Sequence, residues 1–496
     1  MLPFRRIQFI LLVAIVICMT GFFYRWHTAP NPSKWILPTM YDKDDNKDLV
    51  LKRQLIDEKY CGGPCRFTLP VFIMEQESKA QMHFRQLSFM SGLVNRTVVL
   101  PNVGGSRLGA CLDNDFEFYY SRSWAFNNQD HFQHITMSEF KQWLLERQAI
   151  DRPATSQSMH IHVNLRDHAV EPQNCLVADH LLNMNGLPER RLYLNETANP
   201  LKRLYYEDAV RDFFMGVYRD PDSGESVQDE ITNNVEVLSV YYDRRFPFIH
   251  NPAAESPIPY SEQVISQADL IANALSPYWA VHWRTERVEP ASNLVGCAHS
   301  LVDYFDTRTY LTTNTTATSE DIEIKDDSTP TEQPTLFLLT DYPHVFDEND
   351  VEEAILNNGT SDKMQPASAS FSPNSLTVHH HQAMQYVYKH LQVHVTHLDS
   401  SSSSLSETSS SSPPANWTVV PIPYDVARLD PGWLGILDKL LAMRADGFLA
   451  GAPGVCGRKS SFTNQIMNER LDHPRANVID YFDLPESYQQ QNGQVE

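Results

Sequence analysis

From Tyr60 onward the chain alternates short apolar runs with stretches whose apolar residues recur at helical spacing. This alternation restrains the fold more than any other feature, because it builds α/β domains in which helices cover a largely parallel sheet. Residues 78–94 place Ala80, Phe84, Leu87 and Val94 on one helical face, with Ser78 positioned to cap the start. Asn95-Arg96-Thr97 leads into the apolar run 98–100 and Pro101, which reads as a buried strand with a stop. Strands are also expected at 161–165 and 235–242. A second α/β half begins near Tyr260, with a helix at 264–275 and strands at 279–283 and 336–339. A helix at 433–443, a strand at 447–450 and a helix at 461–471 complete it.

With 496 residues, the chain needs no staple merely to build a core. Asp and Glu number 62 against 40 Lys and Arg, a net charge of −22. That balance argues against nucleic acid as a partner, since phosphate contacts need cationic patches. One long apolar run, residues 7–24, excludes a polytopic transporter. Arg5 and Arg6 precede it, so residues 1–6 read as a cytosolic tail and 7–24 as a single transmembrane signal anchor with a lumenal body. Bulky Phe22, Phe23, Tyr24 and Trp26 stand where a signal peptidase site would need small residues. The shortness of the span suits a thin early-secretory membrane.

Residues 25–58, polar and Pro-dotted, read as a stem ending in the charged run 42–48. Five sequons follow the anchor, at Asn95, Asn195, Asn314, Asn358 and Asn416. Six cysteines follow it as well: Cys61, Cys65, Cys111, Cys175, Cys297 and Cys456. An even count in an oxidising lumen suggests up to three disulfides, and six cysteines allow 15 pairings. Cys61-Gly-Gly-Pro-Cys65 imitates a redox or metal pair, but without a second such pair a structural disulfide is the better reading. The Thr- and acid-rich segment 312–334 and the Ser-rich segment 399–414 read as unstructured insertions, and 486–496 as a tail.

Several strand ends carry chemistry. The run Tyr278 to Trp283 delivers His282, Arg284 and Glu286 where open α/β sheets bind ligands, and an Arg there offers a planar fork for a diphosphate. Phe337-Leu-Leu-Thr340-Asp341 delivers a carboxylate that can hold a base or ribose, or cap the next helix. After the strand at 447–450, Ser460, Ser461 and Phe462 open a helix, a natural anion site with a ring to stack on a base. Glu75 and Glu77 stand before the first helix, and either can serve as a general base. Asp113-Asn-Asp115 has the spacing of a metal-binding triplet, a pattern frequent by chance in an acidic chain. His379-His-His381 reads as a solvated loop or helix start, because three adjacent side chains cannot all face one ion.

Taken together these blocks resemble the GDP-fucose protein O-fucosyltransferase superfamily, in a divergent, fungal-like branch. Residues 75–101, with their Leu-x-Asn-Arg-Thr-x-x-x-Pro ending, are similar to its first phosphate-side helix. His282-Trp-Arg284 resembles its His-x-Arg element, and residues 436–470 its C-terminal block. Where many members carry Gly-Asn-Gln or Asn-Asn-Gln, this chain reads Ser78-Lys79-Ala80, and residues 453–459 are extra.

The resemblance implies two Rossmann-like domains of GT-B-like arrangement. An acceptor-side domain would span 59–255 and a GDP-sugar-side domain 256–485. It implies inverting transfer of L-fucose from GDP-fucose to a protein Ser/Thr or glycan hydroxyl, with no metal and no other cofactor. Arg284 would neutralise the departing diphosphate, and His282, Asp341, Ser460, Ser461 and Phe462 would hold the donor. Glu75 or Glu77 would take the acceptor proton. The setting is a single-pass type II protein of the Golgi or ER membrane. The alternatives are a metal-dependent transferase of another nucleotide sugar, using Asp113 and Asp115, and a non-catalytic lumenal binding protein on the same fold.

Overall fold

The computed structural model describes residues 43–162, 172–184, 186–194, 203–219, 226–242, 248–286, 288–314, 334–343, 376–396, 415–422, 430–458, 460–472 and 478–485, with a few single positions besides. The chain divides into two compact units, residues 1–51 and 52–496. The expected anchor at 7–24 lies outside the described residues, as do 315–333 and 399–414 of the expected insertions. Among the described residues no helix is long and apolar enough to cross a membrane.

The end of the expected stem is not an extended spacer. It is helix α1 (Lys43–Cys61), whose Lys, Asp, Leu and Gln residues are tolerant of helix or favour it. Its later part is tied down by Asp57, which accepts from the Trp143 indole at 2.9 Å, and by Tyr60, whose hydroxyl donates to Glu146 at 2.8 Å.

The first sheet is built on β1 (Phe67–Ile73), β2 (Thr97–Leu100), the hairpin β3 (Asn102–Gly104) and β4 (Arg107–Gly109), and β5 (His134–Thr136). It continues through β6 (Ala154–His162), β7 (Leu182–Asn183) and β8 (Arg190–Tyr193). A separate hairpin, β9 (Val217–Arg219) and β10 (Ser226–Gln228), precedes its last strand, β11 (Val237–Tyr242). β1 lies between β2 and β11, parallel to both, and β6 extends the sheet beyond β11. Helix α2 (Glu77–Leu93) connects β1 to β2. It starts one residue before Ser78: Gln76 is the cap by backbone geometry, and the Ser78 hydroxyl is turned to Lys439 instead.

The second sheet has six strands: β12 (Tyr278–Trp283), β13 (Thr335–Thr340), β14 (Val393–Val395), β15 (Trp417–Val419), β16 (Gly447–Gly451) and β17 (Val478–Phe482). Their order is β15-β14-β13-β12-β16-β17 and every pairing is parallel. Three strands therefore run outward from β12 on one side and two on the other, so the direction of winding reverses between β12 and β16. Such a reversal opens a crevice beyond the carboxyl ends of the two strands. Helices α3 (Asn293–Asn314), α4 (Val378–His390), α5 (Pro431–Arg444) and α6 (Ser461–Asp472) make the crossovers. Helix α3 runs to Asn314, so the first insertion begins later than residue 312.

One apolar core is continuous from the first half into the second, joining Ile73, Phe84 and Leu87 to Leu437, Leu441 and Phe448. A second core fills the outer face of the second sheet around Trp283 and Leu449, and a third that of the first sheet around Phe67 and Trp143. The cysteines pair as Cys61–Cys65, Cys111–Cys175 and Cys297–Cys456. The histidine run begins helix α4, but it is not solvated. His380 bonds Thr377 at the helix start, and His381 sits fully buried, its Nδ1 2.6 Å from the Tyr342 hydroxyl.

Candidate active site

The crevice beyond β12 and β16 holds a cavity of about 460 Å³. Glu75, Glu77, His282, Arg284, Asp341, Ser460, Ser461 and Phe462 all line it, so residues scattered over nearly 400 positions meet in one place. β1 delivers the two glutamates at its carboxyl end, β12 delivers His282 and Arg284, β13 delivers Asp341, and the loop after β16 delivers the serines.

Arg284 is one residue past β12 and keeps about a quarter of its side chain exposed. Its Nη2 donates to Glu286 at 2.8 Å. The turn that carries it is fixed by Asp341. One Asp341 oxygen accepts from the Thr285 amide (2.7 Å) and hydroxyl (2.9 Å), and the other from the Glu286 amide (3.0 Å). Burial pushes the Asp341 carboxyl up, against the pull of those hydrogen bonds. Asp341 thus fixes the turn that carries Arg284, and it also lines the cavity in which a hold on the nucleotide is expected of it.

His282 is buried beside Phe462, ring centroids 5.2 Å apart, with Nδ1 3.3 Å from the Thr463 hydroxyl. Desolvation first, and the Arg284 charge second, lower its pKa to about 3, so the imidazole is neutral. Ser460 caps α6: its hydroxyl accepts from the Thr463 amide at 3.0 Å. Ser461 and Phe462 form the first turn, where unpaired amides favour an anion.

The two glutamates differ sharply. Glu77 is buried, and its carboxylate accepts from Gln81 (2.9 Å), Tyr260 (3.0 Å), Tyr120 (3.1 Å), Ser78 (3.2 Å) and Lys439. Glu77 lines the cavity as expected, but five donors already surround its carboxylate, as in a structural anchor. Glu75 is half-buried at the cavity wall and pairs with Lys79 at 3.5 Å.

Four charged lining residues were given no role by the sequence: Lys79, Arg107, Asp438 and Arg458. Asp438 lies one turn or more inside α5 and accepts from the Thr396 hydroxyl. Burial raises its carboxyl to about 7. A carboxylate within an apolar helix pattern was the available signal, but helix patterns carry many such residues.

Asp113 and Asp115 are exposed and outside the cavity lining. Among the described residues no group of three or more His, Cys, Asp or Glu side chains is arranged to hold a metal ion. Of the sequons, Asn95 is exposed in a left-handed conformation (φ 53°), Asn314 ends α3, and Asn195 and Asn358 lie outside the described residues. The Asn416 amide is engaged, donating to the Tyr388 carbonyl at 2.6 Å and the Leu391 carbonyl at 2.8 Å.

No family model matches the chain, and no curated protein sequence does. Among solved structures it is similar to that of POFUT1 with GDP-fucose, at 13% identity over 86% of this chain and 100% of that one, with a TM-score of 0.41. The POFUT1 complex with GDP matches at 12% identity over 84% and 99% (TM-score 0.39), and the apo form at 14% over 84% and 98% (TM-score 0.38).

Proposed function

We propose that the chain is an inverting, metal-independent glycosyltransferase that moves L-fucose from GDP-fucose to a hydroxyl of a protein Ser/Thr or of a glycan. The observation that carries the reading is the cavity at the winding reversal, lined together by Arg284, neutral His282, the Ser460–Phe462 helix start and Glu75. A guanidinium fork beside a helix N-terminus suits a diphosphate, and Phe462 offers an aromatic face.

In the proposed step, the acceptor oxygen attacks the anomeric carbon of fucose from the face opposite the diphosphate. The carbon–oxygen bond to the β-phosphate breaks and its electron pair departs on GDP. The acceptor proton passes to Glu75, and configuration inverts. Arg284 offsets the charge that grows on the leaving oxygen, the work a divalent cation does elsewhere, and His282 orients the phosphates. Three disulfides accord with a lumenal body in the Golgi or ER, anchored by residues 7–24.

The test is a thermal-shift panel of nucleotides and nucleotide sugars on residues 52–496, followed by transfer assays. A rise selective for GDP and GDP-fucose supports the donor class. Arg284→Ala should abolish transfer in a folded protein, and EDTA should leave wild-type transfer intact. Near-normal turnover by Arg284→Ala refutes the mechanism, strict Mn²⁺ dependence favours a metal-dependent transferase, and GDP binding without transfer favours a lumenal binding protein.

A further inference from the structure

Arg458 is an exposed cation on the cavity wall that the reaction above does not use. It also lines a neighbouring cavity of about 370 Å³, and His282, Arg284 and Arg458 are common to both linings. Both arginines therefore line the same two spaces.

The loop that carries Arg458 is built more tightly than a surface connection requires. The Val455, Cys456 and Gly457 amides all donate to the Ala452 carbonyl, at 3.2, 3.0 and 2.9 Å. Gly454 takes a left-handed φ of 86°, and a Cβ on Gly457 would stand 2.7 Å from the Gly451 carbonyl oxygen. The Trp283 indole, on β12 and adjacent to Arg284, donates to the Cys456 carbonyl at 2.9 Å. The Cys297–Cys456 disulfide ties the loop to α3. One indole thus links the base of the Arg458 loop to the strand end that carries Arg284.

The other cations at the cavity are engaged by protein groups. Lys79 pairs with Glu75, Arg107 donates to the Met74 carbonyl, and Arg284 shares itself with Glu286. Arg458 has no hydrogen bond or ion pair among the described residues. A departing nucleoside diphosphate carries more than one negative charge, and one guanidinium already paired with a carboxylate leaves part of it unmatched.

We propose that Arg458 is the second donor-binding cation, closing with Arg284 on the diphosphate so that the electron pair freed by bond cleavage settles between two guanidinium forks. The proposal rests on the diphosphate reading of the cavity. It goes further in assigning a residue from a loop that the sequence analysis left without a function.

The experiment compares wild type, Arg458→Ala and Arg458→Lys by titration calorimetry with GDP, GMP and inorganic pyrophosphate. The side chain is exposed, so the unliganded melting temperature of the variants should match wild type. Arg458→Ala should weaken GDP and pyrophosphate by about tenfold or more while GMP changes much less, with Arg458→Lys in between. Equal GDP and pyrophosphate affinities in wild type and Arg458→Ala overturn the proposal and leave the GDP-fucose reading standing. Pyrophosphate binding that depends on Arg458 without any GDP binding keeps the cation and removes the nucleotide donor. If wild type binds neither, both fall.

Discussion

Lys439 is fully buried on α5 and donates to the Glu77 carboxylate on α2, so the helix after the first strand of one sheet is pinned to a crossover helix of the other. Tyr260 (2.7 Å), Ser78 (2.8 Å) and Gln465 (2.8 Å) also surround the ammonium, which shares its three hydrogens among the four acceptors. Burial lowers the Lys439 pKa and the Glu77 charge works against that shift. Removing one partner strands the other charge out of water, at a cost of about 3–5 kcal/mol, whereas removing both can be nearly neutral. Lys439→Met should therefore lower the unfolding free energy by about that amount, and Glu77→Gln combined with Lys439→Met should recover most of it. Denaturant unfolding of the single and double variants measures this. A double variant no more stable than the worse single one would mean that the pair is not the anchor.

That anchoring separates the two candidate bases. Glu77→Gln should show its effect first in stability. Glu75→Gln should leave the melting temperature and GDP affinity within experimental error of wild type, while transfer falls by about 10²–10⁴-fold, the usual worth of a general base. Single-turnover transfer with saturating donor reads the difference, and full activity in Glu75→Gln would take proton removal away from this residue.

Asp438 sets a pH dependence. Its carboxyl has an ordinary value of 3.8 and is raised to about 7 by burial, so the folded chain holds a proton that the unfolded chain has already released. The contribution to stability is fully present below the unfolded value, declines as pH rises, and is gone above about 7. Ligand binding should run the other way. An ionised Asp438 can accept hydrogen bonds from the N–H groups on a guanine edge, so GDP affinity should rise between pH 6 and pH 8 (about one unit either side of that midpoint) and the rise should vanish in Asp438→Asn. A flat wild-type profile by calorimetry would place the base elsewhere.

Much of this site was legible because apolar strands ended abruptly in polar residues, and strands register in sequence as runs. β12, β13 and β16 fall within a residue or so of the expected positions, and each delivers its expected side chains to the cavity. β6 was legible only in its last residues. Its buried Ser156 and Gln157 hide it from hydropathy, because they bond to Ser239 at 2.7 Å and, through the Gln157 Nε2, to the Pro188 carbonyl at 2.9 Å, partners remote in sequence. The same cause concealed the roles of Glu77 and Asp341. A carboxylate that reads in isolation as a base or a ligand contact also holds structure once distant amides and hydroxyls surround it. Asp438 and Arg458 were left without a role for a different reason, since a helix face and a Gly-rich loop give no local sign of which way a side chain points.

The sequons make a last prediction that does not depend on donor chemistry. Both Nδ2 hydrogens of Asn416 are spent on carbonyls at the end of α4, those of Tyr388 and Leu391. A glycan on that nitrogen would replace one hydrogen and have to displace the chain that covers it, whereas exposed Asn95 has no such conflict. Expressed in a secretory host, the folded protein should carry a sugar at Asn95 and little or none at Asn416. Asn416→Ala should cost about 1–3 kcal/mol through the carbonyls it leaves unpaired. Glycopeptide mass spectrometry and denaturant unfolding check the two outcomes separately. High occupancy at Asn416 in a protein of undiminished stability would show that the helix end is held by something other than this amide.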